Sequence, residues 1–111
     1  MKLKHLLGQS SFILVNKRLT REINIESALF LSILVDATEV FKNEWVYQTT
    51  PTIEKLSYGY LTRRKQEKAI KSLEEKGLIE HKNMGIPCKR YFKINEDKVT
   101  DLLTKIRLWI W

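Results

Sequence analysis

Apolar and polar positions switch between two periods along this chain, and the switches divide it into short elements. Phe12 to Val15 is a β-rich run, read as a strand or an extended arm. Asn16 can cap a short helix through Ile23, and Asn24 is placed to stop that piece in the left-handed region. The stretch from Ile25 to Phe41, IESALFLSILVDATEVF, is helical in length. Ala28, Leu29, Leu31, Ile33, Leu34, Val40 and Phe41 are too many for one stripe, which predicts a central helix or one that buries a second face against a partner. Lys42-Asn43-Glu44 breaks the pattern. Trp45-Val46-Tyr47 then reads as the minor strand of a small sheet, with Trp45 expected in the core beneath it. Thr50 followed by Pro51 gives an N-cap and a first helical position, opening a brief helix with Ile53 and Leu56 on one side. Ser57-Tyr58-Gly59-Tyr60 supplies a turn.

The second half is more regular. Thr62 can cap a helix from Arg63 to Lys76 whose inward positions, Gln66, Ala69, Ile70 and Leu73, follow the i, i+3, i+4, i+7 rule. Gly77 is predicted to end it as a left-handed residue, with Leu78 folding back on Leu73. Two β runs, Leu78 to Lys82 and Lys89 to Ile94, joined by Asn83-Met84-Gly85-Ile86-Pro87, form a hairpin. Asn95 caps a last helix, acidic early and basic late in the sense that complements the helix dipole. Its stripe is Val99, Leu102, Leu103, Ile106, Trp109 and Ile110. The fold class expected is α+β: a winged helix-turn-helix with a three-helix core, a hairpin wing, a short extra strand and a C-terminal helix. The 111 residues suit one domain over 1–111, divided into an arm and short helix (12–23), the core (25–94) and the final helix (95–111).

Charge changes the picture from fold to partner. The formal net charge is +7, and it is clustered. Residues 1–22 carry five basic and one acidic side chain, residues 23–60 two and five, residues 61–93 ten and four, and residues 94–111 three of each. A contiguous basic block of this kind is what a phosphate-tracking surface requires. The major groove of duplex DNA, about 12 Å wide, admits one α-helix, while the preceding short helix braces it. On the helix face opposite the inward positions lie Arg64, Glu67, Lys68, Lys71 and Glu75. Arg63, Arg64 and Lys65 occupy the first turn. Arg63 and Arg64 suit base or near-base contacts, because guanidinium pairs bidentately with guanine or phosphate; Lys68 and Lys71 suit phosphates. On the wing, Phe92 and Ile94 share the inward parity, Lys89 and Lys93 the outward one, and Lys82 and Arg90 flank the turn. Thr49, Thr50, Tyr58 and Thr62 complete the candidate surface near the start of the motif.

The stretch YLTRRKQEKAIKSLEEKGLIEHKNMGIPCKRYFKIN, preceded by WVYQTTPTIEKL, resembles the winged helix-turn-helix domain of phage and plasmid replication proteins of Gram-positive bacteria, the replisome organisers and related initiators. The upstream FILVNKRLTREINIESALFLSILVD resembles the opening of those proteins, so the likeness covers most of the chain. It implies binding to repeats at a replication origin. The basic helix followed by EEKGLIE is shared with very many winged-helix regulators and identifies only the fold. Replisome organisers usually continue into a second domain, whereas one helix follows the hairpin here. Gln66 stands where a larger apolar residue is common, which is expected to loosen the packing of the basic helix.

Other classes fit poorly. His5 and His81 are isolated, Glu74 and Glu75 diverge on a helix, and no glycine-rich phosphate loop is present, so a non-enzyme without cofactor is expected. Cys88 alone excludes an intramolecular disulfide and reads as a small packing residue; no Cys/His cluster suits a metal. The longest apolar stretch, Ala28 to Val35, is broken by Ser32 and is far short of the ~20 residues of a membrane span. MKLKHLLGQSS lacks a signal-peptide core, so a cytoplasmic protein is expected. Trp109 and Trp111 either cap the core or, with the over-apolar helix 25–41, form a homodimer contact. A transcriptional regulator, an accessory protein at a transfer origin and a protein-interaction winged helix are the rival readings.

Overall fold

A computed structural model describes residues 19–87 and 89–108, with only the helical backbone described for 105–108. The elements are α1 (Leu19–Glu22), α2 (Ile25–Phe41), β1 (Trp45–Tyr47), α3 (Thr50–Leu56), α4 (Arg63–Glu75), β2 (Ile79–Met84), β3 (Lys89–Ile94) and α5 (Glu96–Leu108). The run at 12–15, the cap at Asn16, His5, Cys88, Trp109 and Trp111 lie outside the described residues.

Local chemistry sets each boundary. Asn24 sits at φ 63° and its side chain accepts from Ser27 N at 2.9 Å, so one residue both stops α1 and caps α2. α3 starts one residue earlier than the sequence suggested. Thr49, not Thr50, is the N-cap: its hydroxyl accepts from Thr52 N at 3.1 Å, and Pro51 falls one position further into the first turn. Thr62 caps α4, and Gly77 at φ 72° ends it. Gly77 N donates to Glu74 O at 2.9 Å and Leu78 N to Leu73 O at 3.0 Å, the paired bonds of a Schellman stop. Both leucines are buried.

The strands form one antiparallel sheet in the order β1-β3-β2. Trp45, Val46 and Tyr47 face Lys93, Phe92 and Tyr91, while β2 runs from Ile79 opposite Ile94 to Met84 opposite Lys89. The first strand of the wing thus starts one residue later and runs two residues further than the apolar pattern indicated. Phe92 and Val46 point inward, and the Phe92 ring meets Phe30 of α2 edge-on at 5.4 Å and 74°. Leu34, Ile53, Leu61, Leu73 and Ile79 complete the fully buried set around α2. The result is an α+β domain of packed helices, a three-stranded antiparallel sheet with a β2–β3 hairpin, and a following helix, consistent with winged helix-turn-helix topology.

Trp45 is a correction. Only Val46 of β1 is buried; Trp45 is half-buried on the outer sheet face, its ring covered by the Lys82 ammonium at 3.9 Å. A three-residue strand buries one parity, and Val46 takes it. Among the described residues no helix is long and apolar enough to cross a membrane.

Candidate nucleic-acid interface

The periodicity of α4 divides it into two opposed faces. Gln66, Ala69, Ile70 and Leu73 are buried, while Arg63, Arg64, Glu67, Lys68 and Lys71 are exposed. At 100° per residue, Arg64, Lys68 and Lys71 fall within about 60° of arc, spread over about 10 Å of helix. Among the described residues none of these three has an anionic partner within ion-pair distance. Like charges at i,i+3 and i,i+4 disfavour a helix by about 0.2–0.5 kcal/mol per pair. That arrangement gains nothing for the isolated domain and concentrates positive potential on one ridge.

The neighbouring cations are engaged differently. Arg63 Nε lies 3.4 Å from Glu67 Oε1 with both side chains largely exposed, a pairing that water and salt weaken. Lys65 is half-buried with its ammonium 4.0 Å above the Tyr60 ring. The Tyr60 hydroxyl in turn donates to Glu26 Oε1 at 3.3 Å, tying the turn before α4 to the start of α2.

Gln66 joins α4 to its surroundings. It is fully buried, and its amide nitrogen donates to Thr50 O and Leu61 O, each at 2.9 Å. Its Oε1 accepts from Arg90 Nη2 at 3.3 Å. The expected loosening at this position is therefore not found: both amide protons and the oxygen are used, and an apolar residue would take a donor from Leu61 O and Thr50 O and an acceptor from Arg90. Arg90 also donates from Nε to Gln48 O at 3.2 Å and lies over the Phe92 ring, 4.7 Å from its centre. Burial pushes the Arg90 guanidinium below its ordinary pKa, with Glu67 opposing the shift. Arg90 thus braces the wing against the start of α4, and its guanidinium is turned inward where the sequence had set it beside the hairpin turn for a polyanion.

The remaining candidates separate into three places. Thr49, Thr50 and Thr62 lie with Gln66 at the entry to α3 and α4, where Thr50 contributes its carbonyl rather than its hydroxyl. Tyr58 is at the other end of α3, exposed at φ 52°, and lines an apolar groove with Leu29, Ile33, Val40, Phe41 and Leu56. Lys82, Lys89 and Lys93 project from the outer face of the sheet. Lys93 is paired with Glu44, and this contact lowers the Glu44 pKa and raises that of Lys93.

No protein-family model, curated protein or solved structure matches this chain. His81 is not isolated, as its Nδ1 lies 2.8 Å from Glu74 Oε2 and links β2 to α4. Among the described residues no group of three His, Cys, Asp or Glu side chains is placed to hold a metal ion. Sequence reasoning missed the Gln66–Arg90–Gln48 brace and the aromatic character of the outer sheet face. The second was signalled by parity, since Trp45 and Tyr47 alternate with Val46, and Tyr91 alternates with Phe92.

Proposed function

We propose that this protein is a winged helix-turn-helix protein that binds double-stranded DNA without catalysing a reaction. In this reading α4 enters the major groove, α3 braces it, and the β2–β3 hairpin reaches neighbouring phosphates. The observation that carries the reading is the ridge of Arg64, Lys68 and Lys71, without an anionic partner among the described residues, opposite a buried face. Arg64, in the first turn, reads base edges or their immediate phosphates; Lys68, Lys71, Lys82 and Lys89 hold the backbone. Arg90 acts through the brace to Gln66 and sets the angle between wing and helix.

The biological setting proposed is a phage or plasmid, with binding to origin repeats at the start of replication, on the strength of the sequence resemblance. A promoter or a transfer origin is the alternative target, and recovery of bound fragments from the parental genome separates these. We further propose that the protein acts as a homodimer, since two half-sites are read by paired helices in many proteins of this kind. The apolar groove between α2 and α3 supports it: Val40 is 73% exposed and Phe41 58%, side chains that burial against a second copy would remove from water. Fluorescence anisotropy against salt tests DNA binding. A falling affinity with a steep log–log slope is expected. A salt-insensitive affinity that survives loss of Arg64 and Lys68 favours a protein partner instead.

A further inference from the structure

The outer face of the sheet carries rings where a plain phosphate-contacting wing needs only charge. Register places Trp45 beside Lys93, and Tyr47 beside Tyr91 and then Lys82, with Lys89 next along β3. The Tyr47 and Tyr91 rings are 5.5 Å apart and tilted by 38°. Lysines lie over the rings at both ends of this row: Lys82 at 3.9 Å and Lys93 at 5.9 Å from the centre of half-buried Trp45, and Lys89 at 5.5 Å from that of Tyr47. Tyr47 is 44% exposed, and Lys82 and Lys89 are exposed. The carboxylates of this face are gathered at one end, where Glu44 holds Lys93 and Glu80 stands opposite it. Lys82 and Lys89, beside the two tyrosines, have no acidic partner among the described residues within ion-pair distance.

We propose that Trp45, Tyr47 and Tyr91 form a stacking platform for the unpaired bases of a single nucleic-acid strand, with Lys82 and Lys89 taking its phosphates. Trp45 and Tyr47 are two residues apart on one strand, about 7 Å. That spacing fits bases splayed off one another and not the ~3.4 Å steps of a duplex strand. Stacking a base is worth more than an exposed cation–π contact, so a base displaces the ammonium over each ring, which then meets the adjoining phosphate. Unpaired bases of DNA and RNA share this chemistry. The platform is on the sheet face opposite the Arg90 brace, apart from the α4 ridge; it shares Lys82 and Lys89 with the duplex reading, so Tyr47 and Arg64, each used by one reading alone, are the residues that separate the two.

The test is fluorescence anisotropy of the full chain with a labelled thymidine strand of about twelve nucleotides, within the usual span of stacking sites. An abasic strand of equal length, the matching uridine strand and a duplex serve as comparators. Tyr47→Ala is expected to weaken the thymidine strand about five- to 150-fold, the range one base–ring stack carries, and to leave duplex affinity within about twofold. Tyr47→Phe keeps the ring and is expected to retain binding, which also controls for folding. Arg64→Ala is expected to do the converse. The uridine arm tells which sugar is preferred. Equal binding of the abasic strand, indifference to Tyr47→Ala, or loss of single-strand binding in Arg64→Ala overturns the proposal.

Discussion

Arg90 on β3 donates from Nη2 to Gln66 Oε1 of α4 across 3.3 Å, and this contact ties the central strand of the wing to the basic helix. It is half-buried, and the same glutamine amide closes on Thr50 O and Leu61 O. Three elements and the turn before α4 therefore meet at one side chain.

Gln66→Leu is expected to destabilise the domain although it adds an apolar residue at a buried site. Leu61 O loses its donor, Thr50 O loses the one it has besides its own helix, and Arg90 loses an acceptor; a buried group left without a partner costs about 1–3 kcal/mol. Urea unfolding measures it; an unchanged or raised midpoint contradicts the brace.

Gly77→Ala is expected to cost about 1 kcal/mol or more, because the Schellman stop needs φ 72° there. The three atoms nearest an added Cβ all belong to the Lys98 side chain, which can move, so the loss is one of backbone strain. Pairing the variant with Lys98→Ala separates the two: strain predicts no rescue.

The Glu44–Lys93 pair gives a pH dependence with a definite sign. Glu44 is lowered by its hydrogen bond and charge contact with Lys93, so its contribution is present above its unfolded pKa and fades as pH falls through the folded value. Lys93 is raised by Glu44, so its contribution is full below its unfolded pKa and is lost as pH rises through the folded one. The pair is intact between those limits and weakened by salt. An NMR titration of the Glu44 carboxyl is expected to lie below the ordinary carboxylate range, and Lys93→Ala to return it upward.

Much of this was legible from residue pattern. The limits of α2 and β1, the inward face of α4 and the glycine stop follow from periodicity and capping chemistry alone, because those signals are local. The cap of α3 was ambiguous, since Thr49 and Thr50 can both accept from the first turn and Pro51 is tolerated at either of its first positions. Trp45 was misplaced because a three-residue strand does not reveal which parity is buried. Arg90 could be set beside the turn by its number, but a long side chain chooses its direction from tertiary partners, here Gln66 and Gln48. The rings of the outer sheet face were visible individually and became a surface only through the β1–β3 register.

Phe41→Asp is expected to shift a dimer to monomer without unfolding it, because Phe41 is 58% exposed at the rim of the α2–α3 groove. Sedimentation velocity reads the change. A wild-type chain that is monomeric at high micromolar concentration contradicts the dimer.

The most direct measurement compares Arg64→Ala and Lys71→Ala on a selected duplex and on random duplex across a salt series. Arg64→Ala is expected to lose about 1–3 kcal/mol on the selected site and much less on random DNA, whereas Lys71→Ala weakens both alike and lowers the salt slope by about one. Equal losses for both variants on both duplexes, or no loss at all, contradict duplex recognition by the α4 ridge.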